Sequence, residues 1–169
     1  MLTDWTILAK KIGSLQDDGS ESGGDSYAQK ALGEILGNEW IESTVEHIIS
    51  FRRGQELAMN CLRYLQSTKA THFAYKVYKS ADGERADRAV WLIKHIASPN
   101  SFDWIEEFLN DQNVIHQGLG LLDQLLWAKQ VPYDNKTKSL LELAETNSNG
   151  KLKDQTDIIR QYLEERNSR

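Results

Sequence analysis

The chain has 169 residues, 40% of them hydrophobic, and a formal charge of −5 at pH 7. That length suits one domain spanning 1–169, with ample apolar content for a core. No apolar run approaches the roughly 20 residues of a bilayer-spanning helix, and the single cysteine, Cys61, excludes an internal disulfide.

Residues 1–15 predict a first helix, with Thr3 as its cap and Trp5, Leu8, Ala9 and Ile12 along one face. The mixing of apolar and charged residues there does not read as a signal peptide. Residues 16–25 (QDDGSESGGD) read as a polar, mobile loop. A helix over 27–36 ends at Gly37, and Asn38 caps another over 39–50. Helices follow over 55–66, 68–79 and 84–97, the last stopped by Ser98-Pro99. A short helix at 102–109 precedes longer ones over 113–129, 134–146 and 151–166. Period-2 alternation is absent, so no strand pattern competes.

One apolar signature recurs along these helices, with residues at relative positions 0, 3, 4 and 7. It reads Ala28, Ala31, Leu32, Ile35, then Ala58, Cys61, Leu62, Leu65, then Ala89, Leu92, Ile93, Ile96. It returns as Gly118, Leu121, Leu122, Leu125 and, with a polar leader, as Gln155, Ile158, Ile159, Tyr162. The small leading residues let neighbouring helices approach closely. Copies about 30 residues apart, each pair separated by an intervening helix, predict stacked helix pairs: an all-α, right-handed α-α superhelix of about ten helices. Cys61 lies on the signature face and reads as a buried small hydrophobe. A reducing, cytoplasmic setting suits it.

Charge is unevenly placed. Residues 1–50 hold nine acidic side chains against Lys10, Lys11 and Lys30, a balance of −6, so the remainder carries +1. An acidic N-terminal third argues against nucleic acid as the ligand and favours a basic partner.

No catalytic constellation is legible, and no enzyme activity, cofactor or metal is expected. His47, His72, His95 and His116 form no His-x-x-x-His pair. There is no nucleophile elbow, P-loop or dinucleotide-binding glycine motif. The carboxylate pairs Asp17-Asp18, Glu106-Glu107 and Glu164-Glu165 read as solvated surface.

The signature also fixes what it leaves outside. On the reverse side of the same helices lie Glu56, Asn60 and Arg63, then Asp87, Trp91 and Lys94, then His116, Gly120 and Asp123 with Trp127 one turn on. Tyr64 and His95 match each other at the edge, and Lys153, Asp157 and Arg160 continue the series. In a solenoid such residues line the concave surface side by side. Tryptophan and arginine are frequent anchors of protein interfaces, so this strip is the expected partner-binding site, with Trp91 at its centre.

The helix pairs and the segments ELAMNCLRYLQS, RADRAVWLIKHIAS and NVIHQGLGLLDQLL resemble the HEAT/armadillo-like repeat superfamily over residues 27–166. More narrowly, the small acidic chain with its LLDQLL and IIRQYLEE segments is similar to helical immunity proteins of bacterial toxin systems, contact-dependent inhibition among them. That resemblance implies a cytoplasmic protein, monomeric until it joins one toxin domain in a heterodimer. The expected partner is a basic nuclease domain, because its nucleic-acid cleft would attract acidic residues. No membrane or nucleic-acid partner is expected. The alternatives are a HEAT-repeat adaptor for another protein and, in a different class, a HEAT-like enzyme such as a DNA base glycosylase. The glycosylase needs a basic groove that this mixed-sign strip does not offer.

Overall fold

The computed structural model describes residues 3–167 and is all-helical, with nine α-helices among them. α1 (Trp5–Ile12) opens at Asp4, whose side chain accepts from the Ile7 amide at 3.0 Å, and closes at Gly13 with φ +78°. Asp4 therefore takes the capping role expected of Thr3; the expected start at Met1 and Leu2 lies outside the described residues. The following loop closes on itself. Gln16 donates its amide proton to Ser20, and Leu15 pairs with Glu21 in an isolated antiparallel bridge.

α2 (Asp25–Ile49) is two helical segments joined at Gly37, where φ +76° and ψ 170° break the run at the predicted place. α3 (Gln55–Tyr64) and α4 (Thr68–Ser80) follow, α4 capped by Ser67, whose Oγ accepts from the Ala70 amide. Next come α5 (Gly83–Ile96) and a 3-10 turn at Pro99–Trp104. That turn replaces the start of the expected 102–109 helix, with proline in its first turn. The remaining helices are α6 (Ile105–Asn110), α7 (Ile115–Trp127), α8 (Asn135–Asn147) and α9 (Lys153–Asn167). A reciprocal capping box between Asp134 and Thr137 starts α8.

Consecutive helices pack together, α2 with α3, α4 with α5 and α6 with α7, while α8 packs on both α7 and α9. Within the even-numbered row α2 meets α4 and α6 meets α8; within the odd-numbered row α3 meets α5 and α5 meets α7. Tyr78 and Phe108, ring centroids 5.1 Å apart, tie α4 to α6. Side-chain hydrogen bonds between neighbouring pairs span 28 to 40 residues of sequence, as in Asn100 with His72 and Arg166 with the Leu126 carbonyl.

Two copies of the signature are wholly buried: Ala89, Leu92, Ile93 and Ile96 on α5, and Gly118, Leu121, Leu122 and Leu125 on α7. Gly118 shows why the leading residue is small. A Cβ there would lie 2.8 Å from Phe108 Cβ, with the α6 backbone at 3.3 Å. The outlying copies depart from expectation. In the first half of α2, Leu32 and Ile35 are exposed, and so is Ile158 on α9. Cys61 is exposed rather than buried, because the buried face of α3 runs through Met59, Leu62 and Leu65 and no described helix covers the flank where Cys61 sits. The core is continuous from Ile41 to Leu163; before it, Leu8 is the one buried apolar side chain among the described residues.

Three odd-row helices end alike, in a way composition hides. Gln66, Ala97 and Lys129 follow α3, α5 and α7 with φ of +48°, +48° and +57°. Around Gln66 and Lys129 the amides close in the Schellman pattern, Ser67 to Leu62 and Gln130 to Leu125. None of the three is glycine.

Candidate protein-binding surface

The odd-numbered row carries the expected strip. On α3, Glu56, Asn60 and Arg63 recur at i, i+4 and i+7 on the exposed side. On α5, Asp87, Trp91, Lys94 and His95 are half-buried. On α7, His116 is exposed, Asp123 half-buried and Trp127 68% exposed. Glu56 and Arg63 lie close enough to His95 to act on its titration, which joins the α3 residues to those on α5.

Asp87 joins α5 to α7. Its Oδ1 lies 3.5 Å from His116 Nε2 and accepts from Gln117 Nε2 at 3.4 Å. The aliphatic stem of Lys94 lies across α7 at Gly120, where an added Cβ would come within 2.8 Å of Lys94 Cδ. Glycine at 120 leaves room for the lysine stem against α7. Further along, Asp123 Oδ1 accepts from the Tyr162 hydroxyl at 2.7 Å, and the Tyr162 ring meets Trp127 edge-on at 5.2 Å.

Burial lowers the Lys94 pKa below the ordinary lysine value, opposed by Asp87. Burial likewise lowers His95. The bond to the Trp91 carbonyl, 2.8 Å from Nδ1, pulls the other way; Lys94 and Arg63 lower it further and Glu56 raises it. The Tyr162 hydroxyl is pushed well above the ordinary phenol value, first by burial and then by Asp123.

Some expectations need revising. Trp91 is not a free anchor: it packs against the core and meets His95 at a tilt, 4.3 Å between ring centroids. Trp127 is the exposed tryptophan of the strip. Tyr64, 71% exposed, shares an exposed stripe of α3 with Leu57 and Cys61. Lys153, Asp157 and Arg160 do not continue the strip. They pair among themselves, and Arg160 pairs with Glu145 on α8. Tyr162 and Arg166 take the place expected of them, because the last copy follows at 37 residues and so enters in a different rotational phase.

The strip is open surface. The cavity of about 480 Å³ between α2 and the α3–α4 turn is lined by Lys11, Gln29, Glu34 and Lys69 among others and by no residue of the strip. The acidic side chains Asp87 and Asp123 bond to neighbours on adjacent helices rather than converging on one point, an arrangement suited to contact over an area. Among the described residues no group of three or more His, Cys, Asp and Glu side chains is placed to hold a metal ion, and no helix is long and apolar enough to cross a membrane.

The sequence reading missed the exposed apolar side chains near the N-terminus: Ile7, Leu32, Ile35, Leu36 and Leu57 are all outside. Periodicity marked several of them as core, and only the absence of a covering neighbour distinguishes them. No protein-family model matches the chain, and neither a curated protein nor a solved structure matches it.

Proposed function

We propose that this chain is a protein-binding module of the right-handed α-α superhelix type, and that it acts as an immunity protein neutralising a bacterial nuclease toxin domain. The helix pairing, the two rows and hydrogen bonds that reach from each pair to the next support the superhelix. The single observation that carries binding is Trp127, 68% exposed on a strip that is otherwise polar, held edge-on by Tyr162 beside Asp123. A large aromatic fixed in one orientation loses little conformational freedom on docking. The acidic balance of −6 over residues 1–50 supports a basic partner, and a nuclease cleft is basic. Inhibition would be stoichiometric, by covering that cleft.

The test is calorimetry of the chain against the C-terminal domain of the large secreted protein encoded immediately upstream. The expected result is a one-to-one complex tighter than about micromolar with loss of the domain's nuclease activity. Trp127→Asp should weaken it by about 2 kcal/mol or more with an unchanged circular dichroism spectrum. Absence of such a neighbour, or affinity weaker than micromolar, overturns the toxin reading.

A further inference from the structure

The first half of α2 turns its polar face to the molecule and its apolar face to water. Ser26, Gln29, Lys30, Gly33 and Glu34, spaced i, i+3, i+4, i+7 and i+8, line the cavity of about 480 Å³, while Leu32, Ile35 and Leu36 are exposed. Lys11 on α1 and Lys69 on α4 bring the lysines around this cavity to three, against the carboxylate of Glu34, a local balance of +2. The stretch that supplies most of the wall is otherwise acidic: residues 1–50 balance at −6 and hold three lysines and no arginine, and two of those lysines are here. Glu34 accepts from both Lys11 and Lys69, from Lys69 at 2.8 Å. The Lys11 and Lys69 side chains are 63% and 47% exposed, so their amines are reachable from solution. Lys30 has no carboxylate partner among the described residues; its amine lies 5.4 Å from the centroid of the Tyr27 ring. Buried Ile41 and Leu65 supply an apolar lining. A second cavity of about 200 Å³ shares Ile41 and Lys69 with the first and adds Phe73, with Lys76 against Glu42.

We propose that this cavity binds a small organic phosphate, a phosphate monoester on a compact apolar or aromatic body. Packing alone does not account for the wall. Turning the polar face of a helix inward leaves leucine and isoleucine in water, and gathering three lysines sets up a repulsion that an anion relieves. Gly33 stands inside the helix without a positive φ, and a Cβ there would meet nothing within 4 Å. Neither the backbone nor a neighbour calls for glycine, which weakens a helix relative to alanine; what it leaves is room in the cavity. Glu34 marks where the charge goes. Its carboxylate lies between two lysines as a ligand anion would, and an incoming phosphate takes those amines over from it. A phosphate monoester carries about 1.5–2 negative charges at pH 7, which suits the balance of +2, and lysine holds phosphate as a point charge. The body of the ligand lies against Ile41 and Leu65, toward Phe73. The volume falls within the range of about 300–1,000 Å³ typical of small-molecule sites. No residue of the Trp127 strip lines the cavity, so the inference stands apart from the toxin reading.

The probe is phenyl phosphate, titrated by calorimetry and by the amide chemical shifts of the chain, with inorganic phosphate and phenol as its two halves. The expected result is saturable binding of phenyl phosphate at one site, weaker binding of inorganic phosphate and none of phenol. The amides of Gln29, Gly33 and Lys69 should shift, and that of Asp123 should not. Affinity should fall as the pH drops below about 6, where the phosphate loses its second charge. Lys30 takes no part in the Glu34 ion pairs, so Lys30→Ala keeps the wall and should weaken binding about tenfold, as the loss of one charge-assisted contact does. Glu34→Gln should tighten binding, because the two amines lose their competitor; a carboxylate that only braces α2 against α4 would instead give a less stable protein of unaltered affinity. Both variants should keep the helical circular dichroism spectrum. Absence of saturable binding at millimolar phenyl phosphate overturns the inference. So does an affinity that Lys30→Ala leaves unmoved, or that Glu34→Gln leaves unmoved or weakens. Inorganic phosphate bound as tightly as phenyl phosphate makes the cavity a site for an adventitious ion only, and phenol bound as tightly makes it an apolar pocket; either result overturns the inference too.

Discussion

Tyr162 on α9 donates its hydroxyl proton to Asp123 Oδ1 on α7 at 2.7 Å, across 39 residues of sequence. With the Arg166 bond to the Leu126 carbonyl, it ties the last helix to the odd-numbered row. A hydrogen bond to a charged acceptor contributes about 1.5–3 kcal/mol, the lower end applying at a half-buried site. Tyr162→Phe should therefore lower the urea midpoint by an amount equivalent to about 1.5 kcal/mol. Asp123→Asn, which keeps an acceptor, should cost less. Equal stability of Tyr162→Phe and the parent would mean that the bond contributes nothing.

Gly118 is the tightest approach in the core. A methyl group at 118 meets Phe108 Cβ at 2.8 Å and cannot be relieved by turning a flexible side chain, since the α6 backbone stands just behind at 3.3 Å. Gly118→Ala should destabilise by about 1–3 kcal/mol through overpacking, despite alanine's better helix propensity. Thermal unfolding checks this. At Gly120 the obstacle is the end of Lys94's stem, so Gly120→Ala should cost less and should displace Lys94.

The left-handed residue after α7 offers a stabilising change. Lys129 has φ +57°, where a side chain costs about 1–2 kcal/mol that glycine does not pay, against about 0.5–1 kcal/mol of extra backbone entropy for glycine. Lys129→Gly should stabilise the fold by about 0.5–1 kcal/mol. Lys129→Ala should not. A lower melting temperature for the glycine variant would contradict the cap geometry.

His95 gives the stability a defined dependence on pH. Its folded pKa is lowered from 6.5, so the unfolded chain binds the proton more readily. Stability is then full above about pH 6.5 and falls as the pH drops through the lowered folded value. His95→Gln should flatten urea midpoints between pH 7 and 5 relative to the parent. A second decline belongs below pH 4.5, where Glu145, held low by Thr156 and Arg160, takes up protons.

How far the sequence could be read follows from where each helix sits in its row. The faces led by Ala89 and Gly118 are fully buried because α5 and α7 have a helix on either side. The same pattern around Cys61, Leu32 and Ile158 overstates burial. Periodicity tells which side of a helix is apolar, not whether anything covers that side. The break at Gly37 was legible because glycine favours positive φ; the positive φ at Gln66, Ala97 and Lys129 was not, since it falls on ordinary residues. Glu56 through Asp123 were placed on successive odd-row helices by counting turns. Counting failed at α9, where a longer connection changes the phase and puts Tyr162 where Asp157 was expected.

Ahead of Ile41, only Leu8 among the described apolar side chains is fully enclosed. The enclosed core thus belongs to one stretch of the polypeptide and the exposed N-terminal helices to another. Substitutions at the exposed positions of the first 36 residues leave that core intact. A lineage can drift there without passing through unfolded intermediates.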